Sequence, residues 1–309
     1  MHVTGRAISR QYLHFPRNRE YPFALALPTT SMSLLSCPNE LVFLICQLAC
    51  SDGGQTFPVL RQVSKYFHDI SLPLRFTSIS LSSAPQFTRL NRELPLLPPT
   101  HNVRHLFISQ TPQNPSDYIS LLQITSCALE TLSLYMSNSP VSTSLIASVY
   151  RVSFPRLRDL TISGFYSYPL AAKMPQLRRV HFVGNRNPLG LLDVGFDVLF
   201  PSLTHLRISG VSSAPAFAEE LQMGLESDSA VLPQTLRCVI VQLGPIIPRA
   251  EVADKKMVKV FRELVTSCDD NTRTKFILRE DRMEERAFSK EKTREMWMES
   301  ILGREGWWA

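Results

Sequence analysis

Residues 154–164 read FPRLRDLTISG, and nearly the same line returns as MPQLRRVHFVGN at 174–185 and as FPSLTHLRISG at 200–210. Each carries an apolar triplet: Leu157-Leu160-Ile162, Leu177-Val180-Phe182 and Leu203-Leu206-Ile208. The last two members are two residues apart, so both point to one side of a short strand. The first sits at the bend that leads into the strand from the proline. The triplet recurs as Val103-Leu106-Ile108, Leu129-Leu132-Leu134 and Leu236-Val239-Val241, and Phe76-Ile79-Leu81 fits as an earlier copy. Successive copies start 27, 26, 28, 20, 26 and 33 residues apart. A strand this short cannot bury its apolar side alone, so the copies must stack, which predicts a solenoid with one parallel sheet. The intervening sequence predicts helices at 116–125, 141–150, 189–199 and 215–225. The last of these stands behind Ser213 and Pro215, a cap and an early-turn proline.

Strand and helix alternating at this spacing resemble leucine-rich repeats, in an irregular form. The asparagine such repeats place after the strand occurs only as Asn185. An uneven arc is therefore expected, with residues 73–248 as the array. The competing reading is an ordinary α/β domain whose strands share a pattern by coincidence.

Upstream lies CPNELVFLICQLAC, residues 37–50. As a helix over 39–49 it is apolar all round: Leu41, Leu44, Ile45 and Leu48 form one stripe, while Val42, Phe43 and Cys46 face elsewhere. A helix apolar all round must be covered all round. Lipid is excluded as the cover, because a spanning helix needs about 20 apolar residues and Asn39, Glu40, Gln47 and Asp52 bracket a shorter run. Beyond a turn, Pro58 and Ser64 open two further short helices. Three helices in so short a stretch bury little on their own. One side of the first helix thus packs on its neighbours and the other awaits a cover.

Here the sequence CPNELVFLICQLA, with VLRQVSKYFHDISLPLRFTSISL after it, resembles an F-box, in the form seen in many basidiomycete fungal proteins. The matching positions are Pro38, Glu40, Leu41, Ile45, Leu48, Leu60, Val63, Ser64 and Lys65. The resemblance implies that residues 34–72 dock onto the linker subunit of an SCF-type ubiquitin ligase, and through it onto a cullin. Pro38, Glu40, Leu41, Ile45, Leu48, Leu60 and Val63 would form that contact. Cys37 stands where the family has Leu, a glycine-bearing loop replaces a tight acidic turn, and Phe67 stands where Trp is frequent. The alternative is a repeat scaffold outside any ligase, its N-terminal helices serving as an end cap.

Strand alternation leaves a second set of side chains away from the core. It holds Arg104, Arg158, Arg178, Arg179, Arg207 and Arg237, with His105, His181 and His205, against two acids, Glu130 and Asp159. Phe107 and Ile240 add apolar anchors. Arginine captures carboxylate or phosphate bidentately. The expectation is a target-binding face, centred on Arg104, Phe107, Arg158, Arg178, Arg179, His181, His205 and Arg207, for an acidic or phosphorylated segment of a protein. Ordinary solvated strand decoration is the plainer alternative.

No GxSxG, HExxH, GxxxxGK[ST] or GxGxxG occurs. The reading is non-enzymatic, with no cofactor and no metal. His101 and His105 are four apart but flank a strand, where that spacing does not make a metal pair. The net charge of +6 forms no basic block of the kind nucleic acid requires. Apolar residues at 44% and charged residues at 19% fit a folded protein. Six scattered cysteines without a CxxC fit a reducing compartment, cytoplasm or nucleus. Residues 1–31, with four Arg and one Glu, read as a disordered lead or an over-extended start.

Residues 249–309 read as a C-terminal cap. Asp254 would cap a helix striped by Met257, Val260, Phe261, Leu264 and Val265. KFIL at 275–278 is a last strand, and a final helix runs from Ser289 to Gly303. Trp307 and Trp308 offer a docking tail as the alternative to capping.

Overall fold

The apolar triplets dictate the sheet. In the computed structural model, β1 (Ser78–Leu81), β2 (His105–Ile108), β3 (Thr131–Tyr135), β4 (Asp159–Ser163), β5 (Arg179–Val183), β6 (His205–Val211), β7 (Cys238–Leu243) and β8 (Lys275–Arg279) form one sheet in strict chain order. Every pairing is parallel. Ile79, Leu106, Leu132, Leu160, Val180, Leu206, Val239 and Phe276 stand in one row of register partners. Leu81, Ile108, Leu134, Ile162, Phe182, Ile208, Val241 and Leu278 form the next such row. This is a solenoid-like α/β arrangement. The structure describes residues 37–96, 102–110, 114–136, 139–164, 173–193, 195–226, 231–269, 273–283, 289–304 and 308; the expectations for residues 1–31, His101 and Trp307 fall outside them.

Helices cover the face to which these rows point. They are α4 (Ala84–Glu93), α5 (Pro115–Thr125), α6 (Pro140–Val149), α7 (Phe196–Leu199), α8 (Pro215–Glu226) and α9 (Glu251–Asp269). Phe87, Tyr118, Leu121, Ile146, Phe196, Phe217, Phe261 and Leu264 join the strand rows in one continuous buried cluster. Burial of each such side chain contributes about 1.5–3 kcal/mol. The helix starts are local decisions. Asn114 accepts from the Ser116 N–H and Ser139 from the Ser142 N–H, each just ahead of a proline at the first helical position.

Three expectations change. The helix foreseen at 189–199 is reduced to four residues, because Gly190 and Gly195 take φ of +81° and +72° and interrupt it. Ser213 is left-handed at φ +53° and sends its hydroxyl to the Ala250 carbonyl instead of to the first turn of α8. Asp254 lies one turn inside α9, buried, where it grips Arg282 and accepts from the Ser213 N–H. It ties α9 to its surroundings where a cap was expected.

The strand exits carry glycines where only β5 is followed by an asparagine, Asn185. Gly164, Gly184 and Gly244 follow β4, β5 and β7, Gly210 lies near the end of β6 where the register shifts, and the four stack on one another. A Cβ on Gly164 would lie 2.6 Å from the Met136 carbonyl oxygen, and one on Gly244 would lie 2.6 Å from the Gly210 carbonyl oxygen. Close backbone contact here takes the place of a side-chain ladder.

Three short helices precede the sheet: α1 (Asn39–Ala49), α2 (Thr56–Val63) and α3 (Lys65–Ser71). Ser64 caps α3, accepting from the Phe67 N–H at 3.3 Å. Val42, Cys46, Cys50 and Phe57 are buried but lie outside the main cluster. The last helix, α10 (Lys290–Ile301), begins behind Ser289 and ends before the left-handed Gly303, as its sequence predicts. Its position differs from the expectation of an end cap: it packs on β2, β3 and β4.

Candidate functional site

Two surfaces bear on function. The first is α1. Its inward stripe is Val42, Cys46 and, one turn on, Cys50, all at most 1% exposed. The outward stripe is Leu41, Leu44, Ile45 and Leu48, at 52, 52, 50 and 71% exposure. Spacings of three, four and seven put these four on one face. Val59 and Val63 of α2 are also exposed and Leu60 is half-buried, while Pro38 and Glu40 stand exposed at the start of α1. Exposed apolar side chains grouped on one helix face mark an interaction site when isolated ones do not.

The second surface is the sheet face opposite α4–α9. Side chains alternate across a strand, so Phe107 and Thr131 point away from Leu106 and Leu132. α10 lies over them. The Trp297 ring packs against Phe107 with centroids 5.6 Å apart, and its indole N–H donates to Thr131 Oγ1 at 3.1 Å. One turn further, Ser300 Oγ donates to Asp159 Oδ2 at 2.9 Å. One turn earlier, Arg294 Nη2 donates to the Asp52 carbonyl at 3.3 Å. The glycine-bearing loop after α1 makes that contact possible: a Cβ on Gly53 would meet both Arg294 and Trp297 at 3.3 Å. Beyond α10, Trp308 stands edge-on to His181 and His205, with the Arg179 guanidinium 5.9 Å from its ring.

The target-binding face expected from sequence is therefore largely occupied by its own chain. Phe107 is fully buried against Trp297, and His181 and Arg207 are buried too, so none of the three is an open anchor. Arg207 bonds Gln242 Oε1 at 2.9 Å, and His181 Nε2 lies 2.9 Å from Ser209 Oγ. Arg104 pairs with Glu130 at 2.8 Å. Arg179 grips Asp159 through both nitrogens of its fork. His205 is half-buried between Thr204 and Trp308. Only Arg158 and Arg178, of the residues expected there, remain exposed, together with Arg237.

Burial sets the ionisation of this face. It lowers His105 from its ordinary 6.5 to about 4, and His181 well below 6.5, where Arg207 adds to the effect. Both imidazoles are neutral at pH 7. His105 Nδ1 lies 3.1 Å from Thr131 Oγ1, the same hydroxyl that accepts from Trp297. Burial also pulls Arg207 down to about 10 and pushes the Cys50 thiol up to about 11. A thiol so raised is a packing group, not a nucleophile. Among the described residues no three His, Cys, Asp or Glu groups are gathered as a metal site. No helix among them is long and apolar enough to cross a membrane.

Sequence reasoning missed Gly53, Trp297 and Ser300 as parts of this face, while strand alternation already turns Thr131 toward it. Its one legible signal was Phe107, a large ring whose register neighbour is the small Ser133. The chain thus has a solenoid-like α/β fold, one eight-stranded parallel sheet flanked by helices. No protein-family model, curated protein or solved structure matches it.

Proposed function

We propose that this chain is a non-enzymatic adaptor whose N-terminal helices are an F-box docking onto the linker subunit of an SCF-type ubiquitin ligase, with a leucine-rich-repeat array behind them for a target protein. The observation that carries this reading is the outward stripe of α1, four large apolar side chains at least half exposed. A helix serving only as an end cap would turn that stripe onto the sheet. Here α1 turns Val42 and Cys46 inward and leaves Leu41, Leu44, Ile45 and Leu48 bare, which favours an external cover over the scaffold alternative. The ligation chemistry would reside on other subunits, in keeping with a chain that carries no catalytic motif.

The test is co-expression with the linker subunit and co-purification. Burying a Leu or Ile side chain is worth about 1.5–3 kcal/mol, so Leu41→Asp with Ile45→Asp should weaken the complex at least about a hundredfold. A wild-type chain that stays folded and monomeric beside the linker would sink the adaptor reading and leave a scaffold.

A further inference from the structure

The charged groups on and around the inner sheet face divide into two sets. Arg104, Arg179 and Arg207 are each held by Glu130, Asp159 or Gln242. Arg158, Arg178 and Arg237 are exposed, and their guanidiniums make no hydrogen bond or ion pair among the described residues. The three are equivalent by register. Each immediately precedes its strand, beside the row Asp159, Arg179, His205 and Cys238, with Thr204 filling the place between Arg178 and Arg237. They line one cleft of about 790 Å³, closed on one side by Ser300, Ile301 and Gly303 at the end of α10. The two carboxylates of that cleft, Glu130 and Asp159, are already neutralised by Arg104 and Arg179. The cleft therefore presents positive charge without a counter-charge.

We propose that this cleft binds a ligand carrying two phosphate groups, in the first instance an extended, doubly phosphorylated segment of a target protein. The spacing argues for two groups. Neighbouring strands lie about 4.8 Å apart, so Arg158 and Arg178 are one step apart and Arg178 and Arg237 two steps, roughly 10 Å. Arg158 and Arg178 can close on one phosphate as a pair, and Arg237 on a second. In an extended polyproline-II chain, which rises about 3.1 Å per residue and returns to the same face every third residue, that separation is about three residues. Guanidinium forks match phosphate oxygens bidentately, which a carboxylate-bearing segment reproduces with half the charge. Carboxylate segments are thus the weaker ligand.

This inference deepens the target-binding half of the proposed function and rests on it, but its test is independent of the linker subunit. Full-length chain is titrated calorimetrically, at about 150 mM salt, with a peptide bearing phosphoserines three residues apart. The same peptide with Glu at both places, and inorganic tripolyphosphate, are titrated beside it. The expected result is saturable binding of the phosphopeptide, at least about tenfold tighter than the Glu peptide. Binding should fall roughly tenfold for each of Arg158→Gln, Arg178→Gln and Arg237→Gln, and stay unchanged for the exposed Arg156→Gln outside the cleft. Tripolyphosphate binding with the same variant pattern, and no phosphopeptide binding, would keep the two-phosphate chemistry and assign it to a free small molecule. Affinity that does not distinguish the cleft arginines from Arg156, or no saturable binding of either phosphate probe, overturns the proposal. Because these guanidiniums support no described contact, the variants should melt with the wild type, which separates lost binding from lost folding. Linker co-purification that survives a failed phosphate test would leave the adaptor reading standing without this site.

Discussion

The outer face of α1 and the inner face of the sheet pose the same physical problem, apolar groups on a surface that alternation or helical spacing turns away from the core. The sheet face is covered from within, by Trp297 over Phe107 and by Trp308 beside His181 and His205. The α1 stripe is left bare. The difference teaches that an unfilled surface cannot be read from one strand or helix alone, since a segment 166 residues away in sequence can fill it. The sharpest way to break the contrast is to truncate one anchor on each face. Trp297→Ala removes a buried indole, takes one of the two hydrogen-bond partners from Thr131 and uncovers Phe107, and should cost about 3–5 kcal/mol in denaturant unfolding. Leu48→Ala, on the bare face, should change stability by no more than about 0.5 kcal/mol. Equal costs would mean that the α1 stripe is covered by the chain itself.

Acid should strike the covered face next. His105 titrates at about 4 in the folded chain against an ordinary 6.5. Between those values the unfolded chain takes up a proton that the folded chain refuses. Stability therefore falls as pH falls from about 6.5 toward 4, and is insensitive to this group above about 7. The loss from His105 alone is about 2 kcal/mol by pH 5, and His181 acts in the same direction. Unfolding midpoints at pH 7.5 and pH 5, at constant ionic strength, measure it. His105→Gln should flatten the slope, and an unaltered slope would show that His105 is not the neutral partner of Thr131.

How much of this was legible in the sequence follows from the range of the forces involved. The strand rows were visible because Leu157-Leu160-Ile162 and its copies repeat a local requirement, two side chains on one side of a short strand, and the register pairs follow from it. The inward and outward stripes of α1 were visible for the same reason. The seat of α10 was not. An amphipathic helix reads alike whether it closes the end of a sheet or lies across its face, and only the hollow made by Phe107, Thr131 and Gly53 decides between them. The glycine column was legible, since TISG, HFVG and RISG all end on it, although the family pattern places asparagine after the strand. Gly164→Ala should test that column. Its Cβ would press on the Met136 carbonyl at a φ of +120°, and the expected cost is about 1–3 kcal/mol, read as a lowered melting temperature. A neutral result would mean that the strand exits have room to move.

The smallest expected effect is the most discriminating. Leu41→Asp with Ile45→Asp places two charges on a face already half in water, where ionised side chains lose little hydration, so the isolated chain should unfold within about 0.5 kcal/mol of wild type. The same pair should abolish the linker complex. Binding lost at unchanged stability identifies the stripe as a surface kept for a partner. Binding and stability lost together would assign the stripe to the chain's own packing, and α1 would then be covered from within, as the sheet face is.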